Sequence, residues 1–350
     1  MSEITLESQL FEIINDKEMP EHIKLAKLDM LVKLGVDVNA VNNLGLTALM
    51  LACREGYKEI VELLIKNGAD VNKNDNLLYY NPLMYVLERG TIDDNRKKII
   101  DLLVENNANL VQKDKGGYTL LLKVAQFGSK EDIEYLLDKG FDINASNKDG
   151  QNALMLAVVS GKIEKVKFLV EKGMDIHKKD NTWKDTPLIY AAELGHLDIV
   201  EYLLDKGSLV DDVNESGETA LLKASNRGYL DVVKLLCSKG ADINHQKNSG
   251  WSSIMLAAGE GHTDVVKFLA KKGAGLNVQN SDGETALIRA VQFNNKEILD
   301  LLIVLGARMD IKDNRGLTAE DWAKDDALKD VIEIAKIKRG FNKVTFGLFR

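Results

Sequence analysis

The fold is decided by the stretch Thr47-Ala48-Leu49-Met50-Leu51-Ala52, because variants of it recur along the chain. The later copies begin at Asn81, Thr119, Asn152, Thr186, Thr219, Ser252, Thr285 and Thr318. Consecutive copies start 33 or 34 residues apart, except for a step of 38 residues between Asn81 and Thr119. A period of this length is typical of stacked repeats, each of which packs only against its neighbours. The sequence therefore predicts a long surface rather than a globule around one core.

Each copy of the phrase opens a helix–turn–helix pattern, which the repeat from Thr285 illustrates. Turn-forming residues precede Thr285, and its hydroxyl can accept an N–H group at the start of a helix. Apolar residues at helical spacing follow, then a break at Asn294-Asn295, then a second apolar helix that ends at Gly306. An Asp-apolar-Asn step such as Asp242-Ile243-Asn244 leads into the next turn.

This order of elements resembles the ankyrin repeat, over residues 36–335. The resemblance implies an all-α repeat solenoid, an ankyrin-like stack of antiparallel helix pairs with a β-hairpin finger at each junction. It also implies a binding scaffold. The family favours His at the fourth position of the phrase, where this chain carries residues such as Met50, Leu122 and Ile189. We therefore expect apolar packing to replace hydrogen bonding there.

The ends of the chain lack the full pattern, as the ends of a stack require. We interpret residues 1–350 as a single solenoid, with an N-terminal capping unit at 1–40, inner repeats at 41–317, a C-terminal capping unit at 318–337 and a basic-aromatic tail at 338–350. The tail either folds back over the last helix or serves as a docking or membrane-touching peptide. Folding back is favoured, because one short segment gives weak membrane affinity.

One repeat is longer than the others. The repeat from Asn81 carries about one extra helical turn between its helices, at residues 91–95. Solenoids tolerate insertions in loops, so we expect this segment to protrude.

Composition limits the classes of function. The formal net charge of −8 argues against general nucleic-acid binding, which needs a basic surface. No apolar run is long enough to span a bilayer, and the N-terminus does not resemble a secretory signal. Cys53 and Cys237 fall on apolar helix positions several repeats apart, so we expect reduced thiols. The chain is predicted to be a cytoplasmic monomer, whether in the cell that makes it or in another cell that receives it.

The sequence carries no recognisable catalytic constellation. His22, His177, His196, His245 and His262 show no metal-ligand spacing, and neither a nucleophile elbow nor a phosphate-binding loop is present. We therefore predict no enzymatic activity, no catalytic residues, no metal and no cofactor.

The candidate binding residues are those that vary between repeats. We place the residue before each phrase on an exposed finger, and we place variable residues of the first helices beside it on the concave face. Aromatic and arginine side chains are enriched in interface hot spots. The predicted partner-binding residues are Tyr80, Tyr85, Tyr118, Lys123, Phe127, Trp183, Tyr190, Lys223, Arg227, Trp251 and Arg289.

Three classes of function remain open at this point. A scaffold that binds another protein is favoured, because a long groove suits a folded partner or an extended peptide. A small-ligand or nucleotide-binding sensor or sequestering protein is the alternative, with Lys123, Lys223 and Arg289 holding phosphates beside aromatic rings. An enzyme is the third and has the least support.

Overall fold

A computed structural model describes residues 5–87 and 92–347 of the chain. The chain forms two compact units, Met1–Met174 and Asp175–Arg350. Each unit is a stack of helix pairs, which confirms the predicted all-α repeat class. Extended pairing among the described residues is limited to isolated antiparallel bridges, at Val41–Thr47, Ser146–Asn152 and Gln246–Ser252.

The first unit contains five helix pairs. We call the first helix of a pair inner and the second outer. Inner helix α3 packs against α5 and α7 against α9, while outer helix α4 packs against α2 and α6, and α8 against α10. The helices are α1 Leu6–Asn15, α2 Glu21–Lys33, α3 Ala48–Glu55, α4 Lys58–Lys66, α5 Pro82–Tyr85, α6 Asp94–Glu105, α7 Leu120–Phe127, α8 Lys130–Asp138, α9 Ala153–Val159 and α10 Ile163–Glu171.

The second unit repeats the arrangement. Inner helices contact one another in order from α11 to α19, and outer helices do so from α12 to α20. The helices are α11 Pro187–Leu194, α12 Leu197–Asp205, α13 Ala220–Arg227, α14 Leu230–Ser238, α15 Ser253–Glu260, α16 Thr263–Lys271, α17 Ala286–Gln292, α18 Lys296–Val304, α19 Ala319–Trp322 and α20 Asp326–Gly347.

The recurring phrase starts the inner helices as its chemistry predicts. The hydroxyl of Thr285 accepts the N–H of Ile288 at 3.3 Å, and the side chain of Asn152 does the same for Met155 at 3.0 Å. In the eight copies from Thr47 to Thr285 the side chain at the fourth position is apolar and buried, so apolar packing does replace hydrogen bonding there, whereas Asp321 in the last copy is exposed and accepts the hydroxyl of Thr318 at 2.7 Å. Met50 adds a small polar contact, because its sulfur accepts the N–H of Thr47 at 3.4 Å.

Carbonyls near the C-termini of three inner helices, α7, α13 and α15, accept hydrogen bonds from a side chain of the next repeat. In each case the donor is a side chain near the start of the outer helix of the next repeat, and the donor group differs among the three repeats. The bonds join Lys165 Nζ to the Ala125 carbonyl at 2.7 Å, His262 Nε2 to the Asn226 carbonyl at 3.0 Å, and Asn295 Nδ2 to the Ala258 and Gly259 carbonyls at 2.9 and 3.0 Å. Gly228 makes room for one such ring, since a Cβ built on it would lie 2.5 Å from His262.

The long repeat uses its extra residues differently from our expectation. Ile92 is buried and Asp93 caps α6, accepting the N–H of Arg96 at 2.8 Å. Helix α6 has 12 residues, against 9 in α4 and α8. The prediction that residues 91–95 protrude is therefore wrong for 92–95, because an apolar side chain and a cap extend the outer helix; residue 91 lies outside the described residues.

The basic segment at the end of the chain continues a helix. Helix α20 runs from Asp326 to Gly347, so the segment extends the closing helix instead of turning back over it. Residues 348–350 lie outside the described residues.

Both cysteines are free thiols, as expected. Cys53 is fully buried, and burial raises the pKa of its thiol. Among the helices of the described residues, none is both long enough and apolar enough to cross a bilayer.

The carbonyl contacts between repeats yield a stability prediction. We expect Asn295→Ala to lower the free energy of unfolding by about 1–2 kcal/mol, because it leaves two half-buried carbonyls without a donor. Asn295→His should lose much less, since His262 fills the equivalent place one repeat earlier. Urea unfolding monitored by circular dichroism measures both. Equal midpoints for the Ala variant and the wild type would contradict the assignment.

Candidate functional site

The residue before each phrase does not lie at an exposed tip, contrary to our expectation. Leu46 and Asp185 are buried, while Tyr80 and Tyr118 are half-buried. The reason is backbone pairing across the loop: the N–H of Asp75 donates to the Tyr80 carbonyl at 2.9 Å, and that of Asp114 to Tyr118 at 3.0 Å. This pairing places the residue at the base of the finger, beside the inner helix. We use "finger" for each loop between an outer helix and the next inner helix.

In the first unit, Lys123 brings two of the predicted tyrosines together. Its ammonium donates to the Tyr80 hydroxyl at 2.8 Å and lies 2.8 Å from a carboxylate oxygen of Asp114. It also lies 4.8 Å and 5.4 Å from the ring centres of Tyr80 and Tyr118. Burial alone would lower the pKa of Lys123, but the bonds with Asp114 and Tyr80 outweigh it and raise the pKa. The ammonium is thus held as a charged, enclosed group.

Tyr85 is not a surface residue. It is buried, its hydroxyl donates to Asp75 at 3.0 Å, and its ring meets the edge of Tyr80 at a centroid distance of 5.4 Å. Phe127 lies at the end of α7 and is largely exposed. Within this unit, Phe127 is therefore the predicted residue with the most surface open to a partner.

In the second unit, Lys223 lies within a network of charges. Its ammonium is 3.1 Å from Glu218 and 3.4 Å from Glu193. Glu218 also contacts Lys247 at 2.9 Å, and Glu193 contacts Arg227 at 3.0 Å. Burial would raise the pKa of Glu218, but the hydrogen bonds from Lys247 and Lys223 lower it to about 2. Three cations share two carboxylates in this network, and Arg227 is the member that extends into solvent.

In α17 of the second unit, the guanidinium of Arg289 stacks between two aromatic rings. Its guanidinium carbon lies 4.5 Å from the ring centre of Trp251 and 4.3 Å from that of Phe293. It donates to Gln292 at 3.0 Å and lies 3.8 Å from Glu284. Trp251 is half-buried by this stack, whereas Phe293 is exposed. Both Trp251 and Arg289 therefore also contribute to the structure of the repeat.

Trp183 is the predicted residue that the fold presents most openly in the second unit. Its indole is 58% exposed, although its backbone is fixed at both ends. The N–H of Trp183 donates to Asp180 at 2.8 Å, and its carbonyl accepts the N–H of Glu215 at 2.8 Å. Asp180 is buried and also accepts the hydroxyl of Tyr190 at 2.7 Å. Tyr190 therefore supports the finger that carries the tryptophan.

Two fingers, those that lead to Asn81 and Thr186, are one residue longer than the others, and sequence reasoning missed the buried aspartates that organise them. Asp75 and Asp180 each accept backbone N–H groups of their own finger and the hydroxyl of a tyrosine ten residues later. Tyr79 and Lys184 replace the glycine found in other fingers and have φ values of 66° and 62°. The shared Asp-to-Tyr spacing in these two repeats was the available signal.

In each unit the predicted cations beside the fingers are paired with acidic side chains. Lys123, Lys223 and Arg289 all face carboxylates, so their charges are largely compensated. Within residues 5–87 and 92–347, no three His, Cys, Asp or Glu side chains are arranged to hold a metal ion. The predicted aromatic residues that remain largely exposed are Phe127 in the first unit and Trp183 in the second.

Comparison with known proteins identifies the repeats. A family model described as ankyrin repeats (3 copies) matches residues 21–114, 83–180, 175–247 and 241–313. These matches together span most of the chain and both units.

Individual relatives match shorter stretches. The ankyrin repeat and SAM domain-containing protein 6 of Rattus norvegicus is 37% identical over 82 residues, which are 23% of this chain and 9% of the rat protein. An ankyrin repeat protein of Acanthamoeba polyphaga mimivirus is 35% identical over 99 residues, 26% of this chain and 32% of its own length. A Fowlpox virus ankyrin repeat protein is 34% identical over 104 residues, 29% of each chain. The chain thus spans less than a third of the length of these relatives.

The charge network predicts a pH dependence of stability. Because the pKa of Glu218 falls from 4.5 in the unfolded chain to about 2 in the folded one, its stabilisation is present above pH 4.5 and lost as the pH falls towards 2. After allowance for solvent screening we expect about 1–2 kcal/mol. Glu218→Gln should make the free energy of unfolding, measured in urea, depend less on pH between 4.5 and 2. Glu215→Gln, at an exposed position of the same finger, should leave that pH dependence unchanged. Parallel curves for wild type and Glu218→Gln would contradict the network.

The two tryptophans predict contrasting stability effects. Trp251→Ala removes the ring that stacks on Arg289, so we expect it to lower the free energy of unfolding by about 1–2 kcal/mol. Trp183→Ala truncates an exposed ring and should change it by less than about 0.5 kcal/mol. Equal thermal midpoints for the two variants would contradict the assignment of Trp251 to the stack.

Proposed function

The chain belongs to the ankyrin repeat family, and from that premise we propose that it is a non-catalytic scaffold that binds another protein through its fingers and inner helices. Ankyrin repeats generally mediate protein–protein interaction and are generally not enzymes.

The observation that best supports the proposal is that Trp183 exposes its side chain while its backbone is held by hydrogen bonds. An exposed indole costs solubility and gives the fold little in return, and yet hydrogen bonds on both sides hold its backbone in place. A rigid aromatic side chain offers a large contact area at little entropic cost, which is the property of interface hot spots. In the first unit, Phe127 offers similar exposed area.

The other candidates have graded roles in this proposal. Arg227 is exposed at the end of α13, where it can pair with an acidic group of a partner. Half-buried side chains contribute the floor of the surface and hold its shape: Tyr80, Tyr118, Lys123, Tyr190, Lys223, Trp251 and Arg289. Tyr85 is buried and stabilises the finger through the hydrogen bond from its hydroxyl to Asp75.

The nucleotide-binding alternative has less support. A phosphate needs cations that are free to meet it, and Lys123 and Lys223 already contact carboxylates. Binding a phosphate there would require breaking two half-buried ion pairs. We therefore favour the protein partner, and we propose that the scaffold acts as a cytoplasmic monomer.

The proposal predicts the effect of removing the exposed indole. Trp183→Ala should weaken binding of a protein captured from a native lysate by about 2 kcal/mol or more if the indole is a hot spot. Isothermal titration calorimetry of the purified partner measures the loss. Val304→Ala is the control, because Val304 is exposed on outer helix α18 and its truncation should leave affinity unchanged.

Three outcomes would count against the proposal. Unchanged affinity for Trp183→Ala, Phe127→Ala and Arg227→Ala would rule out the finger and inner-helix face. A loss confined to Val304→Ala would move the site to the outer helices. Saturable heat from ATP or GTP, with no protein captured, would favour the nucleotide alternative.

A further inference from the structure

An apolar groove lies on the free side of the first helix pair. We call it the end groove and define it by Ile13, Met19, Met30, Leu31 and Leu34, which line it together with a few polar side chains. Its lining comes from α1, α2 and the loop that joins them, and its volume is about 400 Å³. Met30 is 64% exposed and Leu34 is 66% exposed. None of the residues predicted from sequence as partner-binding lines this groove.

An apolar free side is unusual for the end of a repeat stack. The sequence predicts that residues 1–40 cap the stack, and terminal repeats normally present a polar face there because an apolar face reduces solubility. Met30 and Leu34 gain little packing in the fold, since most of each side chain is open to solvent. Polar residues at these two positions would cost the repeat little stability. The groove therefore keeps apolar surface that the fold itself does not need, as interaction sites do.

The neighbouring repeats show which kind of element fits the side of a helix pair. Helix α3 packs against α1 on one side and α5 on the other, and α4 packs likewise between α2 and α6. Helices therefore cover both sides of this repeat, with the side-chain ridges of one helix fitting into the grooves of the next. The end groove continues the same interface onto the free side of α1 and α2.

A helix also suits the groove better than an extended peptide does. An extended peptide needs a strand edge to pair its backbone groups, whereas a helix pairs its own. The lining of the groove is helical apart from the α1–α2 loop, and the first antiparallel bridge of the described chain, Val41–Thr47, lies outside it. A bound helix would leave no backbone group without a partner.

The charges that line the groove are few and of both signs. Glu12 and Asp16 line it from the side of α1, and Lys27 lines it from α2. The Asp16 carboxylate accepts the N–H groups of Glu18 and Met19 at 2.9 and 3.2 Å, so it is already engaged within its own loop. A strongly charged partner is therefore not favoured, and apolar contact would supply most of the affinity.

The groove is held in shape before any partner binds. The ammonium of buried Lys24 donates to the Ile14 carbonyl and to the Tyr57 hydroxyl, each at 3.0 Å. These bonds join α2 to the end of α1 and to the next repeat. The bond between the Met19 N–H and Asp16 fixes the connecting loop. A groove ordered in this way loses little entropy when a partner binds.

We propose that the end groove binds an amphipathic α-helix of a partner protein, whose apolar stripe takes the place that a preceding repeat would occupy. Large apolar residues three or four positions apart on that helix would pack on Ile13, Met30 and Leu34. The site contains none of the exposed residues on which the scaffold proposal depends, so it would bind its partner independently of them. A second copy paired through the same face is less suitable, because one groove set against another leaves both unfilled.

The test begins with selection of helical peptides displayed on phage against the full chain. Each peptide has about 18 residues, or five helical turns, with Ala, Glu and Lys as background and random residues along one stripe at i, i+4, i+7 and i+11. We expect Leu, Ile, Met and Phe to be enriched along the stripe. A proline in the middle of the most enriched peptide should abolish its binding, because proline breaks the helix.

The decisive variant is the double change Met30→Ser with Leu34→Ser. Fluorescence anisotropy with the most enriched peptide should show affinity lower by about tenfold or more. The thermal midpoint should stay the same or rise, because both side chains are largely exposed. The matched control is Val304→Ser with Ile337→Ser, which truncates two exposed apolar side chains on outer helices α18 and α20 and should leave affinity unchanged.

Several outcomes would overturn the end groove as a helix-binding site. These are the recovery of no peptide, binding that tolerates the proline, and affinity that the Met30→Ser, Leu34→Ser variant keeps. A large fall in the thermal midpoint of that variant would show that the two side chains serve the fold instead. Self-association that the variant abolishes, without peptide binding, would overturn the site in favour of a second copy.

The scaffold proposal can fail or hold separately. Affinity lost in Trp183→Ala but kept in the Met30→Ser, Leu34→Ser variant would overturn the end groove and leave the scaffold intact. Affinity lost only in the Met30→Ser, Leu34→Ser variant would support the end groove, whatever the fate of the finger surface.

Discussion

Short inner helices leave several carbonyls at their C-terminal ends without an intrahelical donor. A neighbouring repeat can donate hydrogen bonds to these carbonyls, and such bonds hold the two repeats together. Lys165, His262 and Asn295 each reach back to the preceding inner helix from near the start of an outer helix. Three different functional groups perform one task, because all that the site requires is an N–H donor at the right distance. The outer face of the next repeat thereby completes the inner helix of the previous one. The contact is directional, since in these three cases the later repeat supplies the donor and the earlier repeat supplies the carbonyl.

A second constraint acts at the fingers, where buried carboxylates hold the backbone. Asp75 and Asp180 are almost inaccessible, and each is surrounded by donors from its own loop and by one tyrosine hydroxyl. These donors satisfy the hydrogen-bonding capacity of the buried carboxylate oxygens. The fingers therefore keep a fixed shape while exposing Tyr79 and Trp183, and the cost of ordering the loop is met in folding rather than in binding.

Sequence alone predicted the features that depend on local periodicity. The phrase starting at Thr285 identified a helix and its cap, because an N-cap is a contact between residues three apart. It did not locate Tyr85 correctly, because the contact that buries it runs to Asp75, in the preceding finger. Likewise, Ile92 and Asp93 looked like a loop insertion, although an apolar residue followed by a capping residue also fits a longer outer helix. Lys123 looked like a free cation, since its pairing with Asp114 spans two structural elements. Local sequence signals predicted the helices and their caps. Side-chain contacts between elements, which those signals do not show, determine which residues are buried or paired at the surface.

Each of the two longer fingers could be transferred to another repeat as a unit. Their geometry depends on three residues: an aspartate, a residue with positive φ four positions later, and a tyrosine ten positions after the aspartate. Tyr79 and Lys184 show that the middle residue tolerates different side chains, and the apolar tip of one finger and the single tryptophan of the other show that the apex does too. Grafting an apex sequence into a different repeat would therefore require moving all three residues as a cassette, whereas the apex itself could be diversified freely. A library of loops built on this cassette would vary recognition while the helices beneath remained unchanged.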